Sequence, residues 1–203
     1  MRLTFFGDSF TYGIGFDDCH TPKDPPSKKN WVSQVVAHMN CEHRNLANPG
    51  SSNQQIFYNI RLYDDYQKDE IIIVQWSFSS RDMIMTEHGP DMIGLWGRDV
   101  PIMNYFHLHP DIDLERRSAM TIEHAALWLQ NRNIPYLFFA NDKFSSISID
   151  ELISDYQSNH RIDQFLDGHP GPMSNEEWAT KVIWYLEDYL RHPSKRPIPK
   201  VVS

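Results

Sequence analysis

Basic charge, cysteine and long apolar runs are what this chain has little of. Nineteen Lys and Arg stand against 27 Asp and Glu, a formal net charge of −8. Nucleic-acid backbones are held by clustered cations, so nucleic acid is not an expected partner. Cys19 and Cys41 are the only cysteines, too few for a disulfide framework, and they point to a reducing compartment. The purest apolar run is Ile71-Ile-Ile-Val74, far short of the roughly 18 residues of a membrane span. The first residues read as a strand, without the basic, apolar and small-residue regions of a secretory signal. A cytoplasmic protein without a membrane span is the expectation. Six Trp, nine Tyr and eleven Phe in 203 residues are enough apolar mass for one domain, 1–203, with a proper core.

Apolar strands alternate with helical patterns along this domain. Leu3 to Phe6 is a first strand, about 42–46 a short second, and Glu70 to Ser77 a near-continuous apolar strand of the kind a parallel sheet buries on both faces. Ile134 to Ala140 is a fourth. Between them Trp31, Val32, Val35, Val36 and Met39 share a helix face. So do Ile56, Ile60 and Tyr63, with Ser51 or Ser52 placed to cap. A helix over about 114–132 carries Met120, His124, Leu127 and Trp128 on one stripe and Ile122, Ala126 and Leu129 on its neighbour. The last helix shows Trp178, Val182, Tyr185, Leu186 and Tyr189, opened by an apparent capping box at Ser174-Asn-Glu-Glu177; a second box reads at Ser148-Ile-Asp-Glu151. The pattern predicts an α/β fold: a three-layer α/β/α sandwich with a mainly parallel, flavodoxin-like sheet. From Met83 to Leu114 the periodicity dissolves among Gly, Pro and scattered Met and aromatics. A connection of that length is expected to be a cap or insertion, at about 83–114.

Chemistry-bearing residues collect where the strands end. Gly7-Asp8-Ser9 follows the first strand and presents a hydroxyl beside free backbone amides. Ala47-Asn-Pro-Gly50 breaks the second strand just before a helix, where a glycine N–H is a natural anion donor. His169 sits in a Gly/Pro-fixed loop, Asp167-Gly-His-Pro170, ahead of the last helix. Two other clusters read as structure. Cys19-His20 lies in a polar loop without zinc-type spacing. His107-Leu-His-Pro-Asp-Ile-Asp113 is a Pro-broken acidic stretch, and no metal is expected there.

Gly7-Asp8-Ser9-x-Thr11-x-Gly13, Asn48-x-Gly50 and Asp167-x-His169-Pro170 together resemble the signature blocks of the SGNH, or GDSL, hydrolases. The resemblance implies a serine nucleophile, Ser9, a general base, His169, and an acid, Asp167, with no cofactor. It departs from the family in two places. The family spaces its acid and histidine one residue further apart; here either the loop is one residue tighter, with Gly168 supplying the backbone freedom that needs, or the acid role of Asp167 is weakened. The strand end that usually carries Gly-x-Asn-Asp reads Gln75-Trp-Ser-Phe-Ser-Ser-Arg-Asp82 instead, so Ser77 is the candidate to replace the asparagine in the oxyanion hole, beside the amides of Ser9 and Gly50; Ser79 and Ser80 compete. Arg81 is expected to pair with a nearby Asp, and Asp8 to hold its turn. Asn141-Asp142 lies one βα unit too late for the missing block and reads as a turn. The implied activity is hydrolysis of short-chain or acetyl esters of a small-molecule or carbohydrate alcohol. Acyl transfer to a sugar, or glycan binding by a non-catalytic relative, are the alternatives.

Overall fold

The computed structural model describes residues 1–87, 89–94, 108–109, 111–141, 143, 152–157, 162–166 and 168–192. Strand β1 (Arg2–Phe6) leads into a one-turn helix α1 (Ser9–Tyr12); α2 (Trp31–Met39), β2 (Glu42–Asn45), α3 (Asn53–Leu62) and β3 (Glu70–Trp76) follow. After β3 the chain makes β4 (Arg81–Thr86) and β5 (Gly89–Gly94), then α4 (Asp111–Gln130), β6 (Tyr136–Ala140), a two-residue β7 (Asp155–Tyr156) and α5 (Pro172–Arg191). The main sheet is parallel in the order β2-β1-β3-β6-β7, the flavodoxin-like arrangement the sequence pattern predicts.

Period-two alternation in β3 decides what each face covers. Ile72, Val74 and Trp76 point into one core with Ile56 and Ile60 of α3 and Ile122, Ala126 and Leu129 of α4. Ile71 and Ile73 point the other way, onto Trp31, Val32 and Val35 of α2 and Trp178, Val182 and Leu186 of α5. Every residue of β1 and β3 is buried. That is the three-layer sandwich. Of the described residues, no helix is long and apolar enough to cross a membrane. Cys19 and Cys41 are both free thiols.

The stretch 83–114 holds more regular structure than its composition suggests. β4 and β5 form an antiparallel hairpin apart from the main sheet, and Arg117 of α4 anchors it through Nη1, 2.7 Å from the buried Asp82 carboxylate. Residues 95–107 lie outside the described residues, as does the Ser148-Ile-Asp-Glu151 box. His109 Nδ1 lies 3.0 Å from Asp113 Oδ2, a local pair at the start of α4; His107 is outside the described residues.

The capping box expected at Ser174 is a correction. α5 begins two residues earlier, at Pro172, with Gly171 as a cap that offers no side chain. Asp163 takes the role from a distance: its carboxylate accepts the N–H of Ser174 at 2.7 Å and of Met173 at 3.1 Å. Ser174 Oγ donates back to the Asp163 carbonyl at 2.7 Å. Burial alone would raise the Asp163 carboxyl, but hydrogen bonds from Ser174 and Met173 outweigh it and hold the group below its ordinary value. A depressed folded-state pKa stabilises above the unfolded value, and that contribution is lost as pH falls through the folded one. Asp163→Ala is therefore expected to cost about 1 kcal/mol at neutral pH, with the deficit shrinking below about pH 4. Urea melts across pH 3 to 7 check it, and a deficit constant with pH would contradict it.

Candidate active site

All the candidate residues that the structure describes lie at the carboxyl edge of the sheet, where ligands gather in open α/β folds. β1 stops at Gly7 because the chain must turn hard against β3. A Cβ on Gly7 would sit 2.2 Å from Thr11 Oγ1 and 3.1 Å from the Gln75 carbonyl, so no larger residue fits. Asp8 then caps α1, its Oδ1 accepting the Phe10 N–H at 2.9 Å. Ser9 is the first helical residue, and its carbonyl accepts the N–H of Gly13 at 2.9 Å. It keeps 5% of its surface: recessed, but not sealed.

The Gly50 turn is stitched to this one. Asn48 N–H donates to the Gly7 carbonyl at 3.0 Å, and Ser52, of the two serines considered, is the residue that caps α3 by accepting the Gln55 N–H. Gly50 adopts a left-handed φ of 83° between them and is partly exposed.

His169 reaches the same edge through its loop. Phe165 N–H donates to the His169 carbonyl at 2.8 Å and Gly168 N–H to the Phe165 carbonyl at 2.9 Å. Gly168 has φ of 85°, a left-handed conformation that glycine adopts without strain. Phe165 packs on Phe16, ring centroids 5.2 Å apart, and His169 stands edge-on to Phe10 at 5.6 Å. Phe10 also meets Phe78 at 5.6 Å. The imidazole thus rests against the residue that follows Ser9. Asp167 lies outside the described residues.

The Ser77 hydroxyl, the candidate oxyanion donor, is engaged within the protein. Its single hydroxyl proton goes to Asp8 Oδ2 at 2.8 Å, it is almost fully buried, and Asn53 grips its backbone in both directions, at 2.7 and 3.1 Å. Arg81 pairs with an Asp, but not with a local one: the partner is Asp8, 73 residues away, Nη1 to Oδ2 at 2.7 Å. Asn141, read as a turn, completes the cluster: its Nδ2 donates to Asp8 Oδ2 at 2.9 Å. Three donors from three elements meet on one carboxylate oxygen. The signal for Asn141 was available only through sheet order, since β6 lies beside β3 and the Asn141 N–H continues the ladder onto the Trp76 carbonyl at 2.9 Å.

Solved structures share this architecture. An acetyl xylan esterase from the rumen bacterium Butyrivibrio proteoclasticus superposes with a TM-score of 0.57 over 94% of this chain, at 16% identity. A psychrotrophic esterase from Pseudoalteromonas gives 0.56 over 94% at 9% identity. A lipolytic protein of the G-D-S-L family from Desulfitobacterium hafniense gives 0.53 over 90% at 11% identity. This chain shares the fold of these two esterases and this lipolytic protein. It spans 64% of the xylan esterase's length and 98% of each of the other two. No protein-family model and no curated protein matches it. The Ser9 and Gly50 turns and the His169 loop occupy one edge of this fold, and the end of β3 is given over to the Asp8 cluster.

Proposed function

We propose that this chain is a serine esterase that hydrolyses acetyl or other short-chain carboxylic esters through an acyl-enzyme on Ser9. The observation that supports it best is the His169 ring lying against Phe10 while Ser9, the preceding residue, opens α1 at the same sheet edge. Ser9 Oγ attacks the ester carbonyl and a ring nitrogen of His169 takes its proton. The tetrahedral oxyanion is held by the N–H groups of Ser9 and Gly50. Collapse breaks the bond to the alcohol, which leaves with the proton from His169. Water then attacks the acyl-enzyme, its proton passing to His169, and the carboxylic acid is released as Ser9 is regenerated. Asp167 is proposed as the acid that orients His169, on its place in the sequence, and the 83–114 stretch as a cap that lines the substrate. A carbohydrate ester is the favoured substrate class, because a neighbour in fold is an acetyl xylan esterase.

With an activated aryl acetate at high enzyme concentration, a burst of phenolate stoichiometric with protein is expected, and intact mass should show one added acetyl group mapping to Ser9. Acetylated xylan oligomers should then release acetate. Absence of any turnover of either ester would defeat the proposal, and acetyl passed to a sugar acceptor rather than water would convert it to a transferase.

A further inference from the structure

The Asp8 cluster does more than fill the place of a missing asparagine. Asp8 is fully buried, and its two oxygens have separate duties. Oδ1 accepts the amide of Phe10 and so sets the turn that carries Ser9. Oδ2 accepts Ser77 Oγ, Arg81 Nη1 and Asn141 Nδ2, at 2.8, 2.7 and 2.9 Å. The carboxylate cannot rotate to relax one set without breaking the other. Arg81 Nη1 also lies 2.9 Å from Ser77 Oγ and 3.5 Å from the Ser51 carbonyl. One guanidinium nitrogen therefore bridges the Ser9 turn and the residue after Gly50. Asn141 is buried, and its Oδ1 has no partner among the described residues, so the bond to Asp8 alone orients its amide. A flipped amide would set two oxygens against each other.

We infer that Arg81 and Asn141 are positioning residues that act through Asp8 to hold the Ser9 nucleophile and the two oxyanion amides in register. This rests on the serine-esterase reading above. Neither side chain is asked to touch substrate. Their effect is to fix, before substrate arrives, the geometry in which a displacement of about 1 Å costs on the order of 100-fold in rate.

The test is a cycle of variants assayed on an aryl acetate and with a fluorophosphonate probe. Arg81→Met is expected to lower kcat roughly 100-fold with KM little changed, because an interaction realised only at the reacting centre is lost. Asn141→Leu should lower kcat in the same sense. Arg81→Lys keeps the charge but not the fork, and should recover to within about tenfold of the parent. Asp8→Asn and the double variant Asp8→Asn/Arg81→Met should differ by far less than the full Arg81 factor, since Arg81 acts mainly through Asp8 and only its contacts with Ser77 Oγ and the Ser51 carbonyl remain. Should Arg81→Met fail to fold, with a buried carboxylate left without its cation, the comparison of Asp8→Asn with the double variant decides alone, because neither carries that carboxylate. An Arg81→Met enzyme with the parental kcat, or a double variant slower than Asp8→Asn by the full Arg81 factor, overturns the inference. A parent that the probe does not label overturns the esterase reading itself, and this inference with it. A parent labelled no faster than Arg81→Met sinks this inference alone.

Discussion

Ser9→Ala is expected to lower kcat for an aryl acetate by about 10⁵-fold or more while leaving the fold intact. The size follows from the role: without Oγ there is no covalent intermediate, and what survives is catalysis by the oxyanion amides and by binding. The insensitivity of the fold follows from the contacts. What holds the turn together is the Ser9 carbonyl with the N–H groups of Gly13 and Ile14, and the Asp8 cap on Phe10, all of which alanine preserves. The circular dichroism spectrum and melting temperature should match the parent's. KM should change little, since the proposed role of Ser9 Oγ is to attack the carbonyl, not to bind the substrate. A Ser9→Ala protein that turns over the ester within tenfold of the parent would remove Ser9 from the chemistry.

His169→Ala should cost about 10⁴-fold or more in kcat, the scale on which a general base coupled to a serine acts. Here a stability effect is also expected, since the edge-on contact with Phe10 is worth on the order of 1 kcal/mol. The two effects separate. Added imidazole can replace a lost proton acceptor without replacing the packing, so it should restore part of the rate in His169→Ala and none in Ser9→Ala. Rate loss without any imidazole response, matched by a fallen melting temperature, would mark His169 as structural.

The parts of this molecule that were legible in the sequence are those governed by local pattern. The all-apolar β3 announced a strand covered on both faces, and the helix stripes at Trp31, Ile56, Ile122 and Trp178 announced the two layers that cover it. Gly7 and Gly168 were readable because only glycine meets their close approach or positive φ. The misreadings share a cause, which is that partners were sought nearby in the chain. Asp8 finds its donors 69, 73 and 133 residues away, across a sheet whose order brings the ends of β1, β3 and β6 side by side. Asn141 therefore looked like a turn residue, and Ser77, the first polar residue past β3, looked free to meet an oxyanion. Ser174 fitted a capping box by spacing, yet the cap comes from Asp163, folded back over the helix start. In the hairpin of β4 and β5 the strand signal was weakened by Gly, Pro and Asp, residues depleted in strands.

On the esterase reading, an oxyanion hole built from the amides of Ser9 and Gly50 without Ser77 has two donors, and one such donor is worth roughly 3 kcal/mol of barrier. On that reading the Asp8 cluster would fix the two donors that remain.

The most direct measurement is the site of fluorophosphonate modification in the wild-type chain, read by peptide mass mapping. The account predicts a single adduct on the peptide from the amino-terminal turn, at Ser9, abolished in Ser9→Ala and strongly slowed in His169→Ala. No adduct, or an adduct on Ser51, Ser77 or another hydroxyl while Ser9 stays unmodified, would contradict it.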